Sequence, residues 1–213
     1  HQQQSPYPAL VYFSKRRALL WARQLRIATR NSGFTRSGFV ESYIAVGGYQ
    51  ALGKCLSEMK PADVIELMKN SGLRGRGGAG FPTGVKWGFA AKYDSDIKHV
   101  VCNADEGDPG AFMDRAVLEG DPHSVLEAMA IGAYAIGGNK GTIYIRAEYP
   151  LAIARLKIAI EQAKDIGLLG DNIMGTDFLL RHGVRNAPSG RFCGCAEAAQ
   201  EKIFSGDLDC GGS

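Results

Sequence analysis

Residues 121–146 read DPHSVLEAMAIGAYAIGGNKGTIYIR, and this stretch decides the fold class of the chain. It opens with Asp121 and Pro122, which suit a helix start because Asp caps backbone N–H groups and Pro fits the first turn. Apolar residues then continue the helix as far as Gly137. The second half, Thr142–Arg146, alternates and is rich in β-branched and aromatic residues, which predicts a strand. A helix followed at once by a strand indicates an α/β protein.

The same alternation continues on both sides of this stretch. Upstream, the short apolar run His99–Cys102 predicts a buried strand. Downstream, Pro150 opens a helix with an apolar stripe, and a further strand is predicted near Phe178–Arg181. Strands that alternate with helices of this length predict a layered α/β domain with a largely parallel sheet.

An acidic turn follows the first predicted strand, at residues 103–110 (NADEGDPG). Ligands of parallel sheets gather beyond the carboxyl ends of the strands, where this turn lies. Its polar side chains are Asn103, Asp105, Glu106 and Asp108. Such a cluster can bind Mg²⁺, act in acid–base chemistry or bind sugar hydroxyls, and it can also be an ordinary solvated turn. The residue order of an EF-hand is absent, so calcium is not expected.

A glycine-rich loop, residues 71–87 (SGLRGRGGAGFPTGVKW), lies further upstream. Glycines such as Gly75 and Gly77 let backbone N–H groups turn towards an anion and let the chain approach it closely. Arg76 and Lys86 add positive charge, and Arg binds phosphate in a bidentate way. The loop leads into a helix predicted from Thr83, whose N-terminus favours an anion. The segment is therefore predicted to bind an anionic group.

Other interpretations of this loop fit the sequence less well. Residues 75–80 match the dinucleotide pattern GxGxxG, but they follow a helix, predicted from Pro61 and closed by Gly72, and not a strand. A flexible basic linker is disfavoured by the large aromatic residues Phe81 and Trp87. A basic loop together with an acidic turn suits a ligand with a phosphate at one end, such as FMN or a sugar phosphate.

Charge and cysteine content give weaker indications. Residues 1–40 contain seven basic and no acidic residues, which is typical of a transit peptide, a nucleic-acid arm or a membrane-surface helix, or of the place where the chain begins. No apolar run approaches the ~18 residues of a membrane span. Five cysteines, an odd number, indicate reduced intracellular thiols. Cys193 and Cys195 alone do not predict a metal site. We expect a cytoplasmic protein, with a mitochondrial or hydrogenosomal address left open, and no nucleic-acid partner.

The long motifs at residues 72–87 and 103–110, with Asp114-Arg115, resemble the flavin- and NADH-binding subunit of respiratory complex I. The same subunit type occurs in NAD(P)-linked and electron-bifurcating hydrogenases and in NAD-dependent formate dehydrogenases. Residues 108–115 (DPGAFMDR) look closer to the hydrogenase branch. The similarity covers roughly Leu25 to Phe178. It implies a Rossmann-like FMN-binding domain over residues 25–180, between a basic extension (1–24) and a divergent or truncated tail (181–213).

The resemblance also implies a site and its chemistry. Hydride would pass from NADH or NADPH to FMN, and single electrons would pass on to 4Fe-4S clusters and the iron–sulfur subunits of the assembly. The cofactors would do the chemistry, so no side chain is expected to be catalytic itself. The implied contacts are Gly75, Arg76, Gly77 and Lys86 with the FMN phosphate and ribityl chain, Asn103, Asp105 and Glu106 with the flavin, Phe81 and Phe89 with the nicotinamide nucleotide, and Asp108 with its ribose.

The chain departs from the family after Phe178. The family expects a glycine-rich segment ending in Cys-Gly-Glu-Glu-Thr, whereas residues 191–199 read RFCGCAEAA, and Glu197 replaces those acids poorly. The later ubiquitin-like domain and the helical domain with the cluster-binding cysteines have no counterpart. We therefore expect a fragment, with a frame error or divergent splice near residue 180. A sugar-phosphate or nucleotide enzyme with a Mg²⁺ site, and a non-catalytic assembly domain, stay as alternatives.

Overall fold

A computed structural model describes residues 23–76 and 79–187. The chain divides into two units, His1–Arg30 and Asn31–Ser213. In the first unit the described residues, 23–30, form an irregular segment with a turn. All helices and strands described below belong to the second unit.

The second unit alternates helices and strands as the sequence predicts. Pro61, Pro122 and Pro150 each occupy the first helical position, where the missing N–H of proline does no harm. The elements in chain order are α1 (Val40–Ala45), α2 (Gln50–Glu58), α3 (Pro61–Asn70), α4 (Thr83–Lys92), β1 (His99–Ala104), α5 (Met113–Gly120), α6 (Pro122–Ile136), β2 (Lys140–Arg146), α7 (Pro150–Asp165), a short 3-10 helix (Ile173–Gly175) and β3 (Arg181–Ala187).

Within the described residues the sheet has three strands in the order β1-β2-β3, and all of them are parallel. His99 pairs with Lys140, and Lys140 pairs with Arg181, so the three strands begin level with one another. Helices α5 and α6 connect β1 to β2, and α7 connects β2 to β3. Parallel strands need such crossovers. The predicted α/β class with a parallel sheet is confirmed.

The main core lies where α6 and α7 pack on the sheet. Leu126, Ile143, Ile145 and Leu156 have no exposed surface. Fully burying a side chain of this size stabilises the fold by roughly 1.5–3 kcal/mol. The apolar stripe predicted for the helix from Pro150 is thus the face that α7 turns to the core.

A buried polar network joins the first two helices to α6. The Glu127 carboxylate accepts hydrogen bonds from the Tyr43 hydroxyl at 2.6 Å, the Tyr49 backbone N–H at 2.9 Å and the Leu52 N–H at 3.1 Å. The Tyr49 hydroxyl lies 3.0 Å from Nδ1 of His123. Burial, and then the nearby Glu127 carboxylate, raise the pKa of Tyr43 and Tyr49 well above the usual value. Glu127 therefore holds the start of α2 in place from inside the core.

Two predicted boundaries and one predicted helix cap are corrected by the structure. The third strand begins at Arg181 and not at Phe178, because Leu180 pairs antiparallel with Gly170 before the chain enters the sheet. Strand β1 continues through Asn103 to Ala104, so the acidic turn starts two residues later than expected. In addition, Asp121 stands at the cap position of α6 but makes no capping hydrogen bond; its Oδ2 accepts one from the Asn31 amide at 2.8 Å.

Among the described residues, no helix is both long and apolar enough to cross a membrane.

Candidate functional site

The glycine-rich loop is closed at its base by backbone hydrogen bonds. The Gly75 N–H donates to the Phe81 carbonyl at 2.9 Å, and the Thr83 N–H donates to the Leu73 carbonyl at 2.9 Å. Gly80 has a φ of +60°, and a β carbon there would meet no atom within 4 Å, so the loop is open on that side. The loop is therefore a short closed hairpin that stands between α3 and α4, with space beside its backbone.

The two predicted cationic residues lie on this loop and on the first turn of α4. Arg76 and Lys86 are both exposed. The first turn of α4 carries no acidic residue that would compete for them. Unpaired N–H groups at a helix N-terminus carry partial positive charge, which adds to that of the side chains. This end of α4 is chemically suited to a phosphate group.

Two aromatic rings mark the neighbouring surface. Phe81 lies at the end of the loop and Phe89 lies on α4, with ring centroids 6.5 Å apart. Their exposed fractions are 47% and 55%, which is high for phenylalanine. An exposed aromatic pair of this kind offers a stacking surface for a planar ring.

The acidic turn lies beyond the carboxyl end of β1, as predicted. Asn103 ends up exposed on the strand, and its Oδ1 accepts a hydrogen bond of 3.0 Å from the Asp105 N–H. Asp105 is half-buried, and Asp108 is exposed. No hydrogen bond among the described residues uses the Asp105 carboxylate or the Asn103 amide nitrogen. These groups remain available to a ligand at the end of the sheet.

Glu106 is placed differently from its neighbours in the turn. Its Oε1 accepts hydrogen bonds from the N–H groups of Met113 at 2.7 Å and Asp114 at 3.3 Å. Its Oε2 accepts one from the Tyr149 hydroxyl at 3.1 Å and lies 3.5 Å from the Arg115 nitrogen. Burial acts to raise the pKa of Glu106, but these hydrogen bonds outweigh it and lower the pKa. The carboxylate thus stays ionised and accepts hydrogen bonds from the first N–H groups of α5.

Sequence reasoning missed two residues of this region. Arg146, at the end of β2, donates a hydrogen bond from its guanidinium to the Glu106 carbonyl oxygen. Tyr149, in the connection from β2 to α7, is 7% exposed, and its hydroxyl donates a hydrogen bond of 3.1 Å to Oε2 of Glu106. Their position after the carboxyl end of the second predicted strand was the only signal in the sequence that could have found them.

The glycine-rich loop and the acidic turn are held by different sets of contacts. In the part of the chain that the structure describes, no hydrogen bond or ion pair joins Gly75, Arg76 or Lys86 to the acidic turn. Gly77 lies outside the described residues, as do Cys193, Cys195 and Glu197. Across residues 23–76 and 79–187, no group of three or more His, Cys, Asp or Glu side chains is arranged to hold a metal ion.

A sequence model described as the Nuo51 FMN-binding domain matches residues 68–199, more than half of the chain. The NADP-reducing hydrogenase subunit HndC of Solidesulfovibrio fructosivorans is 66% identical over 156 residues, which are 73% of this chain and 31% of that protein. An NADH-quinone oxidoreductase subunit of Rhizobium meliloti (strain 1021) is 44% identical over 177 residues, which are 83% of this chain and 42% of that protein.

A solved structure agrees with these similarities. A chain in the crystal structure of an NAD+-reducing NiFe-hydrogenase in the H2-reduced state superposes with a TM-score of 0.60 and 29% sequence identity. The match covers 80% of this chain and 28% of that one. This chain therefore spans less than half the length of the relatives it matches.

Proposed function

Because the chain belongs to the Nuo51 FMN-binding domain family, we propose that it binds FMN and helps to pass hydride from NAD(P)H to that flavin. The observation that carries this proposal is the closed glycine loop, which leads into the N-terminus of α4 between two exposed cations. The hydride-transfer activity is part of the same proposal, because the chain covers less than half the length of each relative.

The loop fits the phosphate end of FMN. Gly77 would supply a backbone N–H group, and Arg76 and Lys86 would supply positive charge. The N–H of Gly75 already donates to the Phe81 carbonyl, so Gly75 would contribute by letting the backbone approach the phosphate closely. The open space beside Gly80 leaves room for an anion next to the backbone. These residues bind and orient; when bound, the flavin supplies the hydride and single-electron chemistry.

The acidic turn fits the other end of the ligand. Asn103 and Asp105 carry hydrogen-bonding groups that no described residue uses, at the end of the sheet where ligands of α/β proteins gather. Glu106 belongs to the same turn and was expected to contact the flavin. Its carboxylate already accepts hydrogen bonds from the start of α5 and from Tyr149, so we propose that Glu106 stabilises the turn.

The nicotinamide nucleotide would use the exposed aromatic surface beside the loop. Phe81 and Phe89 offer ring faces for stacking, and Asp108 offers a carboxylate for ribose hydroxyls. The proposed partners are iron–sulfur subunits of a hydrogenase, a formate dehydrogenase or a complex I-type assembly, in the cytoplasm or an organelle matrix. Two relatives are named as subunits of a hydrogenase and of a quinone oxidoreductase, which supports the proposal that this chain is also part of an assembly. The division into residues 1–24, 25–180 and 181–213 stays part of the proposal.

Flavin titration tests the proposal. The 213-residue chain should quench FMN fluorescence on binding. Arg76→Ala and Lys86→Ala should each weaken FMN about tenfold or more, because a hydrogen bond to a charged group contributes ~1.5–3 kcal/mol. Riboflavin, which lacks the phosphate, should lose much less. Lys92→Ala is the matched control, since it removes an exposed cation from the last turn of the same helix.

Two results would count against this function. Equal losses for FMN and riboflavin would remove Arg76 and Lys86 from the phosphate site. No flavin binding by the wild-type protein, together with saturable Mg²⁺ binding that Asp105→Asn abolishes, would favour the metal-dependent sugar-phosphate alternative.

A further inference from the structure

We propose that Tyr149 is a positioning residue for the flavin site: together with Glu106 it fixes the acidic turn to the start of α5. In this arrangement the Glu106 carboxylate binds protein groups and not the flavin, and Asn103 and Asp105 are the residues of the turn that offer side chains to the flavin. The inference rests on the proposed function, because it assigns roles within that same site.

The Glu106 carboxylate has most of its hydrogen-bonding capacity occupied by the protein. An ionised carboxylate accepts about four hydrogen bonds, two at each oxygen. Oε1 lies 2.7 Å and 3.3 Å from the nitrogens of Met113 and Asp114, and Oε2 lies 3.5 Å and 3.1 Å from the Arg115 nitrogen and the Tyr149 hydroxyl. Three donors within 3.3 Å and a longer contact to Arg115 therefore occupy most of the acceptor capacity of the carboxylate.

Glu106 also completes the N-terminus of α5. The first N–H groups of a helix have no partner within the helix. Phe112, at the cap position of α5, makes no side-chain capping bond, so Glu106 supplies the acceptor from seven residues upstream of Met113. The negative charge also suits the positive end of the helix dipole. The turn and the start of α5 are therefore coupled through one carboxylate.

Tyr149 is held firmly enough to restrain that carboxylate. Its ring is almost completely buried, and the Arg146 guanidinium carbon lies 5.5 Å from its centroid. The Arg115 guanidinium carbon lies 5.7 Å from the same centroid. Arg146 also holds the backbone of the turn, by donating to the Glu106 carbonyl oxygen. The end of β2 and the β2–α7 connection thus each contact the turn after β1, and the buried ring can keep its hydroxyl aimed at the carboxylate.

A rigid turn matters because polar groups bind a ligand more tightly when they need no ordering on binding. The Asp105 N–H already bonds to Oδ1 of Asn103, so the shape of the turn depends on its own backbone and on Glu106. Removing the Tyr149 hydroxyl would leave Glu106 with fewer restraints and would loosen the turn without touching a ligand-facing group.

A double-mutant cycle tests this inference, with Tyr149→Phe, Glu106→Gln and the double variant. The first readout is the affinity for FMN and riboflavin, and the second is amide hydrogen exchange at Met113, Asp114 and Arg115. We expect Tyr149→Phe to weaken FMN and riboflavin by the same factor, about tenfold, because the turn serves the ring end and not the phosphate. The double variant should bind flavin no more weakly than Glu106→Gln alone. Exchange at the three amides should speed up in each single variant.

Tyr134→Phe is the matched control. Its hydroxyl donates a 2.7 Å hydrogen bond to the Met59 carbonyl, away from the turn, so this variant loses a comparable bond and should keep flavin affinity within about twofold. Multiplicative losses in the double variant would mean that Glu106 acts independently of Tyr149, which overturns the inference. An affinity for Tyr149→Phe equal to that of Tyr134→Phe overturns it too.

Failure of the proposed function gives a different pattern. If the wild-type protein binds no flavin, the proposed function falls, and the flavin-positioning role of Tyr149 falls with it. The exchange data then decide on the remaining structural statement: faster exchange at the three amides in both single variants supports the Glu106–Tyr149 coupling, and unchanged exchange refutes it.

Discussion

Gly84 and Lys69 lie so close together that a β carbon on Gly84 would stand 2.4 Å from the Lys69 backbone nitrogen. Real β carbons essentially never approach a backbone atom at this distance. Gly84 belongs to the glycine-rich stretch that predicts an anion site, yet it is buried where α4 crosses α3. Its missing side chain therefore serves helix packing, whereas the space beside Gly80 faces outward.

Gly84→Ala should destabilise the protein by ~1–3 kcal/mol, the usual effect of overpacking, because a backbone atom cannot move aside as a side chain can. Chemical unfolding measured by circular dichroism gives the change in free energy of unfolding. Gly88→Ala is the control in the same helix: its β carbon would meet Ile65 Cγ2 at 3.7 Å, an ordinary contact. That variant should be neutral or more stable by ~0.5–1 kcal/mol, since Ala favours helices. Equal effects at both positions would contradict the packing role.

Local signals predicted most of the fold. Pro61, Pro122 and Pro150 start helices because the reason lies in the residue itself, and Gly137 ends α6 in the left-handed conformation, with φ of +71°, that only glycine adopts easily. The third strand was placed wrongly because the apolar run before Arg181 favours a strand by composition. The partner of Leu180 is Gly170, and no local pattern indicates that pairing.

The residues of the candidate site also divide into those with a local sequence signal and those whose contacts are distant in the sequence. The assignment of Arg76, Lys86 and Asn103 to the site stays a prediction, and it came from their position in the glycine loop or at a strand end. The contact of Tyr149 with Glu106 was harder to predict, since 43 positions separate the two residues and only the nearby strand end pointed to Tyr149. The role of Glu127 was equally hidden: it is the one acidic residue in a largely apolar helix, and Tyr43, whose hydroxyl donates to it, lies 84 positions away.

Glu127→Gln should destabilise the protein by about 2–4 kcal/mol. The three groups around Glu127 all donate, so an amide would turn one NH2 towards a donor and leave buried polar groups unpaired. Thermal or urea unfolding measures the loss. Glu161→Gln, on the exposed side of α7, should change stability by less than ~0.5 kcal/mol. Similar small changes in both variants would show that the buried network contributes little.

Phe81→Ala and Phe89→Ala should weaken NADH binding about five- to tenfold each while leaving FMN affinity nearly unchanged. The two rings form the exposed aromatic pair that is proposed to stack on the nicotinamide nucleotide. Such stacking contributes ~1 kcal/mol beyond area burial. Calorimetric titration with NADH and with FMN separates the two ligands. Tyr93→Ala removes a 75% exposed ring at the end of α4 and should affect neither. A loss of FMN affinity equal to that of NADH would place the rings in the flavin site instead.

His182 should make the stability of the protein depend on pH below neutrality. Its ring packs against Gly141, where a β carbon would stand 2.8 Å from it. Burial, with a further contribution from the Lys164 ammonium, lowers the pKa of His182 to about 4. An unfolded histidine titrates near ~6.5, so between these values the unfolded chain binds the proton first and stability falls as the pH falls. The difference in free energy of unfolding between wild type and His182→Gln should therefore change across this window, with a slope approaching ~1.4 kcal/mol per pH unit. Unfolding curves for both proteins at several pH values measure it, and a difference that stays constant from neutral pH to pH ~4 would mean that His182 is not buried as described.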